Sequence, residues 1–147
     1  MTQAHTVLAF DFGLKRIGLA SGDTLTKSAA PLAAIACERG TPDWAALERE
    51  VRSLAPGMLV VGAPYNADGR EGALLAAARR FAAELGRRFA LPVYLVDERF
   101  SSLEANEALR QRRASGRRRR RLRRGDIDSA AAAVILGRFL EGEGRTA

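Results

Sequence analysis

One segment near the N-terminus most constrains the fold of this 147-residue chain. An apolar run, Val7–Phe10, ends at Asp11, a glycine turn follows, and a second apolar stretch, Ile17–Ala20, leads away. This pattern predicts a β-hairpin that carries a carboxylate at the end of its first strand. A carboxylate in that place is costly to bury unless it is paired, and a divalent cation is a common partner.

Apolar runs and helical spacing extend this prediction along the chain. Four helices are expected: one that starts with Thr41 as its cap and stops before Pro56, one over Leu74–Phe89, one from Ser101, and one over Asp128–Leu140. The alanine-rich start of the last helix should allow it to approach a sheet closely. Five strands are expected, over Thr6–Phe10, Ile17–Ser21, Ala29–Cys37, Met58–Val61 and Val93–Val96.

This order of elements predicts an α/β fold with a mixed five-stranded sheet and helices on both faces. The first three strands should be antiparallel, and right-handed crossovers should place the last two parallel to strand one. The ends of strands one, four and five then share an edge, which would bring Asp11 and Glu98 together. We expect a single domain over 1–147, with a basic loop at about 110–125 and a loose tail at 141–147.

Composition excludes several classes of function. No apolar run approaches the roughly 20 residues that span a bilayer, and the N-terminus does not resemble a signal peptide. The chain has one cysteine, Cys37, so no internal disulfide can form. It has one histidine, His5, so neither a histidine-based zinc site nor a Ser-His-Asp triad is expected. We therefore expect a cytoplasmic protein with no membrane partner.

The positive charge is concentrated in one segment. Residues 110–124 contain ten arginines and no acid. These ten positive charges exceed the net charge of +7 of the whole chain, so the remainder of the chain is net acidic. A biased base composition of the gene could explain arginine in place of lysine, and a charge run can be merely solvated. The absence of any acid favours a polyanionic partner, and hence nucleic acid, contacted through one face.

Three acids lie at comparable places: Asp11, Glu98 after an apolar strand, and Asp128 at the start of an alanine-rich helix. Carboxylates at the ends of separate core elements suit Mg²⁺ or Mn²⁺ and a metal-dependent phosphodiester chemistry. At Asp128 the negative charge would also sit at the N-terminus of a helix, which favours its ionised form.

Each assignment has an alternative on the residues alone. Asp11 could cap the glycine turn. Asp97 competes with Glu98, because neighbouring strand residues point to opposite faces and alternation does not choose between them. Asp126 competes with Asp128 as a ligand or as a helix cap.

Four motifs, in this order, resemble the YqgF family of ribonuclease H-like proteins: FDFGLKRIGLA, VVGAPYNADGREG, VDERFSS and DSAAAAVIL. The resemblance covers about residues 6–140. It implies a ribonuclease H-like fold and assigns the metal ligands, and with them catalysis, to Asp11, Glu98 and Asp128 in preference to Asp97 and Asp126.

The same resemblance places the family's basic loop on the arginine run. The hairpin next to Asp11 and the residue after Glu98 supply further cations that could contact phosphate, although a structural salt bridge is an alternative for the hairpin pair. The predicted nucleic-acid-binding residues are Lys15, Arg16, Arg99, Arg117, Arg118, Arg119, Arg120 and Arg121.

Members of this family are described as pre-16S rRNA nucleases or as Holliday-junction-resolvase-like proteins. The resemblance therefore implies an endonuclease for 5′-end maturation of pre-16S rRNA, with structured RNA and a pre-ribosomal particle as partners. The alternatives are resolution of four-way DNA, which requires a homodimer rather than a monomer, and a non-catalytic RNA-binding module. A phosphotransferase of the actin or sugar-kinase type would need two such domains and a longer chain.

Overall fold

The computed structural model describes residues 5–63, 72–97, 124–142 and 145–146. Within these ranges, seven strands form one sheet in the order β4-β3-β2-β1-β5-β6-β7. The helices are α1 (Trp44–Leu54), α2 (Ala73–Phe89) and α3 (Arg124–Leu140). The strands are β1 (Thr6–Asp11), β2 (Arg16–Asp23), β3 (Ser28–Glu38), β4 (Thr41–Pro42), β5 (Met58–Ala63), β6 (Val93–Asp97) and β7 (Arg145–Thr146).

The strand directions confirm the predicted mixed sheet. β1, β2 and β3 are antiparallel neighbours, and β5 and β6 run parallel to β1. β4 and β7, of two residues each, extend the five predicted strands at the two edges. Because β1, β5 and β6 are parallel, their C-terminal ends lie at the same edge of the sheet, as predicted.

Helices cover both faces of the sheet. Alternate residues of β1 point to opposite sides: Leu8 and Phe10 join a buried cluster with α1 and α2, whereas Val7 and Ala9 join a second cluster with α3. The predicted close approach of the last helix is confirmed, since Ala132 is fully buried against the sheet. The described residues contain no helix that is both long enough and apolar enough to cross a membrane.

The start of α1 differs from the prediction. Thr41 does not cap the helix, because Thr41 and Pro42 pair with Cys37–Glu38 as β4. The cap is Asp43, whose Oδ1 accepts a hydrogen bond from the backbone N–H of Ala46 at 3.2 Å. The short acidic side chain satisfies one of the N–H groups that a helix start leaves without an internal partner.

One further prediction needs correction. α3 begins at Arg124, so Asp128 lies in its second turn and not at its N-terminus. Within the tail over 141–147, residues 145–146 form β7, which pairs with Tyr94 and Leu95 of β6. The predicted helix from Ser101 lies outside the described residues.

Candidate active site

The first carboxylate of the site is set by β1. Asp11 is the last residue of the strand and continues the alternation of Val7 and Ala9, which face α3. In the antiparallel register it stands opposite Gly18 of β2. Asp11 therefore lies on the α3 face, at the edge of the sheet where the parallel strands end.

Gly18 brings the second carboxylate to the same place. A Cβ atom on Gly18 would stand 2.0 Å from the backbone oxygen of Asp128 and 2.8 Å from the backbone nitrogen of Ser129. Only a residue without a side chain permits this approach of α3 to β2. Since Gly18 is the register partner of Asp11, the structure brings Asp11 and Asp128 together across it.

Two hydrogen bonds fix the crossing of α3 over β2. The buried Ser129 hydroxyl accepts from the backbone N–H of Leu19 at 3.2 Å. The Nε–H of Arg16 donates to Oδ2 of Asp128 at 2.8 Å. The side chains of this ion pair are 34% and 29% exposed, so the pair is partly shielded from water. Together these contacts hold the Asp128 carboxylate in one orientation at the end of the sheet.

Asp126, the competitor of Asp128, lies on another face of the helix. Residues two apart in an α-helix do not point in the same direction. Asp126 is in the first turn of α3, while Asp128 forms the ion pair with Arg16 on β2. The ion pair thus places Asp128 over β2, beside Gly18, the register partner of Asp11.

The third predicted carboxylate, Glu98, lies outside the described residues. Its competitor Asp97 is described: it follows Val93 and Leu95 in the strand alternation, and these belong to the cluster on the α1–α2 face. Within the described ranges, no group of three His, Cys, Asp or Glu side chains is placed to hold a metal ion. Asp97 therefore does not complete the pair formed by Asp11 and Asp128.

The predicted phosphate contacts are only partly described. Lys15 is exposed in the β1–β2 turn, whose backbone is held by the Cys37 N–H donating to the Lys15 carbonyl at 2.9 Å. Arg16 reaches Asp128, which is the salt bridge considered as the alternative for this residue. Arg99 and the arginines at 117–121 lie outside the described residues.

Sequence reasoning missed the parts played by Gly18 and Ser129. A signal was present, because β2 carries small residues at alternate positions, Gly18, Ala20 and Gly22. Such a row marks a strand face that another element approaches closely. Its counterpart is the alanine stretch of α3, which was predicted to pack closely on a sheet.

Comparison with known proteins defines the family. The sequence profile of RuvX, described as Holliday junction resolvase, matches residues 5–142. The chain belongs to the RuvX family. RuvX and YqgF are two names for this family, so the match confirms the resemblance drawn from the four motifs. It also places Asp11 and Asp128 in a family of nucleases.

Relatives of this RuvX-family chain cover nearly its whole length. Proteins of Salmonella paratyphi B and Salmonella typhi are each 45% identical to it over 138 residues, which is 94% of this chain and 97% of theirs. Both carry the name "Putative pre-16S rRNA nuclease".

Solved structures show the fold. The RuvC protein of Thermus thermophilus, in a complex with a Holliday junction substrate, aligns with a TM-score of 0.57 at 18% identity, over 97% of this chain and 99% of that one. A second structure of RuvC from the same organism gives a TM-score of 0.55 at 16% identity. The RuvX-family chain thus has the predicted ribonuclease H-like fold.

Proposed function

We propose that this chain is a divalent-metal-dependent endonuclease that hydrolyses phosphodiester bonds in the 5′-end maturation of pre-16S rRNA. The observation that carries the proposal is the meeting of Asp11 and Asp128 across Gly18 in a member of the RuvX family. The names of relatives at 45% identity support RNA as the substrate.

The donor set of the site fits Mg²⁺ or Mn²⁺, which prefer carboxylate oxygens. A divalent cation held by both carboxylates would offset their mutual repulsion. We assign this cation to Asp11 and Asp128, with Glu98 as the third ligand, and the position of Asp97 on the opposite face supports that choice. When bound, divalent cations lower the pKa of a water nucleophile and stabilise the leaving oxygen of a phosphodiester.

Arg16 has two roles in this account. Its Nε–H holds Oδ2 of Asp128 and so fixes the direction of the carboxylate. Within the described part of the chain, Nε is the one guanidinium nitrogen of Arg16 that is engaged, and the other N–H donors can meet the oxygens of a phosphate. The same side chain would thereby position a ligand and receive the substrate backbone.

Binding of the remaining substrate is assigned to the other cations. Lys15 is exposed one residue before Arg16, and we propose Arg99 and Arg117–Arg121 as further phosphate contacts on the strength of their sequence positions. Such contacts position a polynucleotide without reading its sequence. Specificity for a precursor RNA would then come from the shape of the substrate.

Resolution of four-way DNA is the second candidate function. The description of the RuvX family and the likeness to a RuvC fold seen with a Holliday junction favour it. Paired symmetric cuts would require two copies of the chain related by a two-fold axis.

The experiment that tests both candidates is cleavage of a 16S precursor fragment and of a four-way DNA junction, side by side, with Mg²⁺, Mn²⁺ or EDTA. The test variant is Asp11→Asn. The matched control is Asp43→Asn, the same chemical change at a position where asparagine caps a helix as well as aspartate does.

We expect metal-dependent cleavage of the RNA, loss of cleavage in Asp11→Asn, and full activity in Asp43→Asn. Asp11→Asn should bind RNA as tightly as the unmodified chain or more tightly, because a charge that repels phosphate is removed. Symmetric cuts in the junction alone would replace the RNA substrate by the DNA one. Binding of both without any cleavage would favour a non-catalytic binding module.

A further inference from the structure

A cavity of about 260 Å³ lies on the α1–α2 face of the sheet, opposite to the face that carries Asp11 and Asp128. Its lining comes from the β1–β2 turn, the β3–β4 turn, the start of α1 and one side of α2. Phe12 contributes to the lining and directly follows Asp11. The cavity and the candidate active site therefore lie at the same end of the sheet, on its two faces.

One side of this cavity is aromatic. The Phe81 ring lies 5.0 Å from that of Phe12 and 5.8 Å from that of Trp44, measured between centroids. The Arg88 guanidinium lies over the Trp44 ring, 4.1 Å from its centroid, and helps to hold the indole in place. At the rim, Leu14 leaves 55% of its surface exposed, which makes it one of the few large apolar side chains that the described chain presents to water. Phe12 and Phe81 are only 4% exposed, so the half-buried Trp44 and the exposed Leu14 are the large apolar side chains that a ligand in the cavity would touch.

The other side of the cavity is positively charged. Arg39 and Arg80 contribute to the lining, are exposed, and form no ion pair with any described residue. The single acid of the lining, Glu84, is already bound by Arg87 and Arg88. The cavity therefore offers two available cations next to its aromatic side and favours a ligand with an anionic group.

A backbone hydrogen bond joins two of the turns that line the cavity. The Gly40 N–H donates to the carbonyl of Leu14 at 3.0 Å and ties the β3–β4 turn to the β1–β2 turn. Arg39 has a φ of 52°, in the left-handed region that residues other than glycine rarely adopt. The turn thus presents an arginine to the cavity at a backbone position that a glycine would occupy with less strain.

We infer that this cavity binds one unpaired nucleobase of a polynucleotide, with the base in contact with Leu14 and with the part of Trp44 that Arg88 does not cover, and with the adjoining phosphate between Arg39 and Arg80. Its volume lies below the ~300–1,000 Å³ typical of pockets for larger ligands, which suits a single base. The inference rests on the proposed function only in that the chain binds a polynucleotide. It requires the substrate to present a single-stranded nucleotide close to the cleavage site.

The test uses the fluorescence of Trp44, the sole tryptophan of the chain. The intact protein is titrated with adenosine and uridine monophosphates, and with ribose 5-phosphate as a probe that carries the same anionic group without a base. We expect saturable quenching by the nucleotides and none by ribose 5-phosphate. The comparison of the probes measures what the base itself contributes to binding.

Charge-removing variants locate the binding. Arg39→Gln and Arg80→Gln should each weaken nucleotide binding by up to about fivefold, the upper value for a single ion pair at an exposed position. Arg49→Gln, an exposed arginine of α1 outside the lining, removes the same charge and should bind as the unmodified chain does. All three positions are exposed, so the variants are expected to fold.

The inference would be overturned if neither nucleotide quenched the fluorescence saturably, or if ribose 5-phosphate quenched it equally. Equal weakening of nucleotide binding in the Arg49 variant would also overturn it. Quenching by an acidic peptide but by no nucleotide would assign the cavity to a protein ligand instead. The titration needs no cleavage. Nucleotide binding in a protein that cuts no substrate would therefore refute the proposed function alone, and cleavage without nucleotide binding would refute the cavity alone.

Discussion

Replacing Gly18 by alanine is expected to separate α3 from β2 and so displace Asp128. The new Cβ would stand 2.0 Å from the Asp128 carbonyl oxygen and 2.3 Å from its carbonyl carbon, whereas contacts under 3.0 Å essentially never occur. Both atoms belong to the backbone, so no rotamer change relieves the clash. The helix must therefore move by about 1 Å, at a cost of about 1–3 kcal/mol in the free energy of unfolding.

The expected loss of activity is larger than the loss of stability suggests. A displacement of about 1 Å in a catalytic group costs about 100-fold in rate. The assay is cleavage of a 16S precursor fragment with Mg²⁺ per folded molecule, with the folded fraction taken from urea unfolding. We expect Gly18→Ala to keep a cooperative unfolding transition while its kcat falls by about that factor.

Two glycines serve as matched controls. In Gly22→Ala, the Cβ would stand 2.3 Å from the backbone oxygen of Ser28 and 2.7 Å from Leu136, so the chain should lose similar stability at the far end of β2 and retain its activity. Gly137→Ala meets no atom within 4 Å and replaces a helical glycine. It should gain about 0.5–1 kcal/mol in stability.

Equal loss of activity in Gly18→Ala and Gly22→Ala would refute the reasoning, because it would show that instability alone reduces cleavage. Full activity in Gly18→Ala would refute the assignment of Asp128 to the site. A crystal structure of Gly18→Ala with α3 unmoved would refute the packing argument itself.

Three further predictions concern charge. Arg16→Gln should lower the free energy of unfolding by about 1 kcal/mol in urea titrations, because it removes the partly shielded partner of Asp128; unchanged stability would show that the pair is only a surface contact. Replacing Arg117–Arg121 by serine should reduce the slope of log affinity for RNA against log salt by about 0.7–0.9 for each phosphate that the variant no longer neutralises; an unchanged slope would exclude the run as the contact surface. Arg87 and Arg88 lower the pKa of Glu84, so the stability that Glu84 contributes above its unfolded-state pKa should be lost as the pH falls through its lower folded-state pKa. In urea titrations at a series of pH values, Glu84→Gln should lack this pH-dependent loss. The same dependence of unfolding free energy on pH in both proteins would contradict the shift.

The order and type of the main elements could be predicted from the sequence because each central element carries its own pattern. Met58–Val61 is a continuous apolar run, as a strand buried on both faces requires, and the apolar spacing of Leu74–Phe89 matches α2. The two-residue strands β4 and β7 carry no such pattern. They form through pairing with β3 and β6, which local sequence does not encode.

The boundaries of α1 and α3 show where local signals compete. Thr41 and Asp43 are both good caps, and only the pairing of Thr41 with β3 decides for Asp43. The start of α3 lies at the end of an arginine run, where the repulsion of like charges favours a later start. The helix instead begins at Arg124, with Asp126 as an acid in its first turn, where it complements the helix dipole.

Part of the candidate site was predictable and part was not. Asp11 could be named because it ends an apolar strand, and Asp128 because it precedes a recognisable alanine stretch, although the helix itself starts earlier, at Arg124. The pairing of Arg16 with Asp128 joins residues 112 positions apart, so no local pattern announces it. Its cause is the bare backbone of Gly18, which became evident only when α3 was seen to cross it.

The central claim is that Asp11 and Asp128 together hold a divalent cation. The most direct test is a titration of the intact protein with Mn²⁺, followed by electron paramagnetic resonance of the free ion, for the unmodified chain, Asp11→Asn, Asp128→Asn and the control Asp43→Asn. The account predicts that each of the first two substitutions weakens binding about tenfold or more, since each removes one ligand, and that the control binds as the unmodified chain does. Equal binding by all four proteins, or binding by none, would contradict it.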